Sequence, residues 1–170
     1  KGSYQKENIQ TAAVVIEVLR KKISISQEAI ERGFANVVKN TGIKGRWQIL
    51  NEKPLIIADT AHNKEGLSLV LKQIKQQKFN NLHIVLGMVN DKAIDEILDL
   101  FPKDAVYYIS EPDVPRKLDK EILFQKARNK QLNGNVFNTV KEALNVAKSE
   151  AKENDMIYIG GSTFVVAEVV

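Results

Sequence analysis

Short apolar runs alternate with amphipathic runs along most of this chain, and no other feature restricts its fold as much. "PLIIA" (54–58), "LHIVLG" (82–87), "AVYYIS" (105–110) and "DMIYIGG" (155–161) have the length of single strands. Runs that stay apolar at successive positions suit strands whose two faces are both covered. Between them, "NKEGLSLVLKQIKQQ" (63–77), "DKAIDEILDLF" (91–101), "KLDKEILFQKARNK" (117–130) and "VKEALNVAKSEAK" (140–152) place apolar residues at helical spacing. "RWQIL" (46–50) and "GNVFN" (134–138) read as further strands, and "STFVVAEVV" (162–170) as the start of a last helix. This alternation predicts an α/β fold: an open, mostly parallel sheet with helices on both faces.

The first forty or so residues have a different texture. Ile9, Ala12, Ala13, Ile16 and Leu19 fall on one face of a helix over 6–22. Ser24 or Ser26 can cap a second helix, Gln27 to Lys39, and "NTGIKG" (40–45) reads as a loop. The chain opens without Met and in the middle of a pattern, so a fragment of something larger is expected.

Composition removes several classes of function. With no Cys there is no disulfide, thiolate metal site or Cys nucleophile, which fits a reducing cytoplasm. The two His residues are too far apart in sequence for a metal-binding pattern. No apolar run reaches the roughly 20 residues that span a bilayer, and no signal peptide is evident. The net charge of +4 is spread along the chain, which suits an anionic small molecule. A basic stripe with interleaved aromatics, as nucleic acid would require, is absent.

In open parallel sheets, ligands sit beyond the carboxyl ends of the strands. That singles out 59–63, 87–92, 110–116 and 160–163. Neither a GxGxxG fingerprint nor a GxxxxGK[ST] phosphate loop is present. Asp59 ends an apolar run, where a carboxylate can accept from ribose hydroxyls or bond local N–H groups in a turn. His62 can meet a phosphate or carboxylate, or be a surface turn histidine. Both are expected beyond the strand end and outside the core. Asn63 can cap the following helix, whose first N–H groups attract anions. Arg46 follows a Gly and can fork onto phosphate oxygens or be solvated. Lys92 is a cation at a helix start, an unfavourable place that hints at an anionic ligand. Ser162, after "GG", can cap a helix or bind a carboxylate. His83, at the head of a strand, reads as structural.

Taken in order, "GSYQKENIQTA" (2–12), "GRWQIL" (45–50), "DTAHNKEG" (59–66), "LGMVNDK" (86–92) and "YIGGSTFVVAE" (158–168) resemble the C-terminal part of the folylpolyglutamate synthases. These are Mur-type amide ligases, often bifunctional as dihydrofolate synthases. The resemblance implies a Rossmann-like ligase domain over 43–170. Residues 1–42 would then be the helical tail of an upstream ATPase domain. It implies ATP and Mg²⁺, both held mainly by that upstream domain, and an acyl phosphate that an incoming glutamate attacks. Folate or dihydropteroate and glutamate would be the substrates, and the full-length enzyme a cytoplasmic monomer without nucleic-acid or membrane partners. By the same resemblance Asn8 contacts adenine, Arg46 the ATP phosphates and Asp59 the ribose. His62 lines the cleft near phosphate and glutamate, so His62 and Arg46 are the catalytic candidates. Lys92 and Ser162 face the incoming amino acid. The family's phosphate loop and metal ligands lie outside this chain, so the chain alone is expected to be inactive. Thr60 departs from the commoner Gly and asks the turn to accept a β-branched residue. A cell-wall Mur-type ligase and a stand-alone α/β binding module remain the competing readings.

Overall fold

The computed structural model describes residues 5–90 and 93–170. The chain divides into two compact units, residues 1–44 and 45–170.

The first unit is helical. Helix α1 (Gln5–Arg20) is followed by α2 (Gln27–Ala35) and α3 (Val37–Thr41). Ser26 caps α2 by accepting from Ala29 N at 3.1 Å. The single helix expected over 27–39 is broken at Asn36, which has left helical geometry at φ −112° and ψ 20°. Its side-chain amide donates to Arg32 O at 2.9 Å and competes for the carbonyl that its own N–H bonds. Gly42, at φ 65°, closes α3.

The second unit holds β1 (Gln48–Glu52), β2 (Leu55–Ala58), α4 (Lys64–Ile74), β3 (Leu82–Leu86), α5 (Ile94–Leu98), β4 (Val106–Ile109), α6 (Lys120–Asn129), β5 (Asn133–Val136), α7 (Val140–Glu150), β6 (Met156–Gly160) and α8 (Thr163–Ala167). The sheet has six strands in the order β1-β2-β6-β3-β4-β5. Only β1 runs antiparallel, against β2, and the other pairings are parallel. The alternation of strand and helix legible in the sequence is therefore present, with one antiparallel edge strand added.

The two faces follow from a side-chain period of two residues. Ile56, Ala58, Val85, Tyr108, Ile157 and Ile159 face Val140, Ala143, Leu144 and Ala147 of α7 and Val165 and Val166 of α8. Their neighbours Ile57, Ile84, Leu86, Tyr107, Ile109 and Tyr158 are buried on the other face, where α4, α5 and α6 form the covering layer. The strand order explains the split. Connections through α4, α5 and α6 step one way across the sheet, and α7 carries the chain back to β6. Right-handed crossovers running in opposite directions must lie on opposite faces. Neighbouring strands β2 and β6 therefore send their chains to opposite faces, which opens a crevice at their carboxyl ends.

His83 is structural, as its position suggested. It is buried, with Nδ1 2.8 Å from Tyr108 Oη, which in turn donates to Glu150 Oε2 at 2.6 Å. This network sits at the amino ends of the strands, away from the crevice.

Candidate active site

The crevice begins with Asp59. The chain leaves β2 with Asp59 N–H still donating to Ile159 O at 3.1 Å, so the residue remains in register with β6. Its side chain is 1% exposed. Oδ2 accepts from Trp47 N at 2.6 Å and Oδ1 from Ala61 N at 2.9 Å. One carboxylate thus ties the turn before β1 to the turn after β2. The expectation that Asp59 lies outside the core is corrected. Backbone N–H groups turned inward at both turns need an acceptor, and the carboxylate is drawn in to supply it.

The turn before β1 is unusual. Gly45 has φ 70° and Trp47 φ 47°, the latter in a region that bulky residues rarely adopt. Thr60 N–H donates to Gly45 O at 2.9 Å. A Cβ on Gly45 would come within 2.6 Å of Thr60 Cγ2 and 2.9 Å of Val166 Cγ1, so only glycine lets the segments approach. Arg46 lies between Gly45 and Trp47. It sits in the turn ahead of β1 rather than at the head of a strand, and its exposed side chain donates from Nη1 to Thr60 Oγ1.

His62 is exposed on the same turn, with Nδ1 3.1 Å from Thr60 O. A carbonyl oxygen only accepts, so Nδ1 carries the proton in this contact and neutral imidazole keeps its lone pair on Nε2. Asn63 then caps α4, its Oδ1 accepting from Gly66 N at 2.9 Å. A guanidinium, an imidazole and the N-terminus of an eleven-residue helix are thus gathered on 46–66. All three suit an anionic ligand.

The neighbouring strand β6 supplies the other lip. Gly161 has φ 89°, and a Cβ there would lie 2.5 Å from Leu86 Cδ1 and 2.8 Å from Gly87 O. Ser162 is buried and caps the short α8, Oγ accepting from Phe164 N at 3.2 Å. Farther along, the loops after β3 and β4 are tied together. Asn90 N–H donates to Arg116 O and Leu118 N–H to Met88 O, both at 2.9 Å. Glu111 braces the second loop through Lys117 at 2.5 Å, and that ammonium holds its carboxyl below the usual range. The Arg116 guanidinium stacks 5.1 Å from the Phe164 ring centre.

Of the sequence candidates, Arg46, Asp59 and His62 come together, with Ser162 on the adjoining strand end. Asn8 belongs to the first unit, where its side-chain amide donates to Gln5 Oε1 at 3.2 Å. Lys92 lies outside the described residues. Sequence reasoning missed Thr60, which touches Arg46, His62 and Gly45 at once. The only signal was a β-branched residue where the resemblance expects Gly. Trp47 left no signal, because an alternating strand pattern conceals a positive φ.

Residues 45–163 match the family described as Mur ligase, glutamate ligase domain. The chain belongs to that family. A relative in Haloferax volcanii, a probable bifunctional folylpolyglutamate synthase/dihydropteroate synthase, is 30% identical over 98% of this chain and 19% of its own length. The Escherichia coli dihydrofolate synthase/folylpolyglutamate synthase is 31% identical over 93% of this chain and 36% of its own length. The chain thus spans well under half of these Mur ligase relatives. Among solved structures, Escherichia coli FolC in complex with DHPP and ADP superposes with a TM-score of 0.82 at 29% identity, covering 96% of this chain and 38% of that one. A bifunctional folylpolyglutamate synthase/dihydrofolate synthase with Mn, AMPPNP and L-glutamate bound superposes with a TM-score of 0.73 at 26% identity, over 87% and 35%.

Proposed function

We propose that this chain is the glutamate-ligase part of an ATP-dependent ligase that joins glutamate to folate or dihydropteroate. Residues 43–170 are the ligase domain in this reading, and residues 1–42 the tail of an upstream ATPase domain that the reaction also requires. The observation that carries the reading is the joint placement of the Arg46 guanidinium and the His62 imidazole on Thr60, at the carboxyl end of β2. Relatives and structural neighbours named for folate chemistry, with ADP, AMPPNP or glutamate bound, supply the substrate class.

ATP supplies the phosphoryl group that turns a substrate carboxylate into a reactive acyl phosphate. Arg46 binds the phosphate oxygens and offsets the charge that grows as the tetrahedral intermediate forms. The incoming glutamate must lose an ammonium proton before it attacks, and we assign its acceptance to His62 Nε2. We assign Asp59 to the ribose side of the crevice, where its buried carboxylate acts by anchoring both turns. Asn8, Lys92 and Ser162 retain their proposed roles toward adenine and the incoming amino acid. Among the described residues no three His, Asp or Glu side chains converge as a metal donor set. In this reading Mg²⁺ is held mainly by the upstream ATPase domain, and no step here runs through it. No described helix is long and apolar enough to cross a membrane. A cytoplasmic, monomeric enzyme is proposed from the resemblance alone.

The test is the full-length protein with ATP, Mg²⁺, glutamate and either dihydropteroate or a reduced folate, followed by phosphate release and product mass. The expected result is stoichiometric phosphate and a glutamylated pterin product, with no turnover by the 170-residue chain alone. Arg46→Ala should cost about 2–5 kcal/mol in kcat/KM for ATP, with partial rescue by Lys. Turnover that depends on a cell-wall precursor and ignores pterins would replace this reading with the other Mur-type one.

A further inference from the structure

Thr60 bonds to three different residues of the candidate site. Its N–H donates to Gly45 O, its hydroxyl accepts from Arg46 Nη1, and its carbonyl meets His62 Nδ1. It is 7% exposed, whereas Arg46 and His62 are both solvent-facing. The hydroxyl is therefore fixed by packing, and the guanidinium that reaches it is not. A methyl group on the same carbon packs against Gly45, where no Cβ fits. Swinging χ1 of Thr60 would drive that methyl off glycine, so the oxygen stays directed at Arg46.

An exposed arginine samples many rotamers, and capturing an anion from that ensemble costs entropy. A tether on one Nη leaves the other N–H donors of the fork available. We propose that Thr60 is the positioning residue for Arg46. In the unliganded protein its hydroxyl holds the guanidinium over the end of β2, so that phosphate meets a preformed donor fork. This rests on the reading of Arg46 as a phosphate contact. It adds that the contact's strength depends on a side chain that itself touches no ligand.

Two measurements separate the tether from the proposed function. The first uses the unliganded chain with ¹⁵N-labelled arginine and reads side-chain relaxation at Arg46 Nε. Wild type should show a restricted Nε–H, Thr60→Ser, which keeps the hydroxyl but lacks the methyl that directs it, a partly restricted one, and Thr60→Val and Thr60→Ala a freely reorienting one. Equal restriction in all four overturns the proposal, whatever the protein's substrate. The second uses the full-length enzyme. Thr60→Val should raise KM for ATP on the order of three- to tenfold, the usual effect of one immobilised side chain, with a smaller fall in kcat. Thr60→Ser should restore it in part, and in an Arg46→Ala background Thr60→Val should have no further effect on KM. A fall in kcat alone, a loss shared equally by Ser and Val, or full additivity with Arg46→Ala overturns the positioning role. If Val impairs folding, Thr60→Ala carries the same forecasts without the added methyl. A wild-type enzyme that ignores ATP would remove the proposed function and, with it, the phosphate, while the relaxation measurement still reports the tether.

Discussion

Replacing Asp59 with Asn separates an anchoring carboxylate from a residue that serves only a ligand. The substitution preserves shape, so no cavity forms. Asp59 accepts Trp47 N–H on one oxygen and Ala61 N–H on the other. Asn offers one oxygen and one NH₂. Whichever way the amide turns, one backbone N–H faces an N–H donor. The loss is one hydrogen bond to a charged group, worth about 1.5–3 kcal/mol, and one buried N–H left unmet, worth about 1–3 kcal/mol. These overlap, since the same N–H appears in both, so the net cost is about 2–4 kcal/mol. Where the amide turns its NH₂ to Trp47, the residue at φ 47° also loses its anchoring bond. Equilibrium denaturant unfolding, followed by Trp47 fluorescence, the only tryptophan in the chain, would measure it. A loss below about 0.5 kcal/mol, as is usual for surface changes, would refute the anchoring argument and leave Asp59 a ligand contact only.

Three further outcomes follow from the same geometry. His62→Ala, at an exposed residue, should leave stability within about 0.5 kcal/mol but lower kcat of the full-length enzyme about 10²- to 10³-fold; unfolding curves beside steady-state kinetics would show it. Gly45→Ala should destabilise by about 2–4 kcal/mol, from a left-handed alanine and the clash with Thr60 and Val166, and Thr60→Ala in the same chain should recover part of that in thermal melts. Burial pushes the Asp155 carboxyl up, but the N–H groups of Lys152 and Asn81 and the His83 ring outweigh this and hold it below the usual value. A group with a depressed folded value contributes stability above its unfolded value and loses it as pH falls through the folded one. Acid unfolding should therefore steepen below about pH 4, and Asp155→Asn should flatten that limb in pH-dependent melts.

Much of the fold was legible in the chain because it depends on local periodicity. Apolar runs such as 56–58 and 156–160 are buried on both faces, and their pattern says so without a partner being known. The helix caps were legible for the same reason, since Asn63 and Ser162 bond N–H groups only two or three residues away. The break at Asn36 was not, because it turns on a competition between a side chain and its own backbone that propensity does not resolve.

The sequence by itself determined that the chain forms a parallel α/β sheet and that Arg46, Asp59, His62 and Ser162 fall near strand ends. Only the tertiary structure decided what those residues touch. The order β2-β6-β3 brings together segments that lie about a hundred residues apart in the chain, and no local pattern encodes a neighbour at that separation. It turned Asp59 inward onto Trp47, a bond across twelve residues that neither turn reveals alone. It also made Thr60 the common partner of Arg46 and His62. A hydroxyl becomes a tether only when backbone packing fixes its direction, and that packing depends on Gly45 meeting Thr60 and Val166 across the crevice.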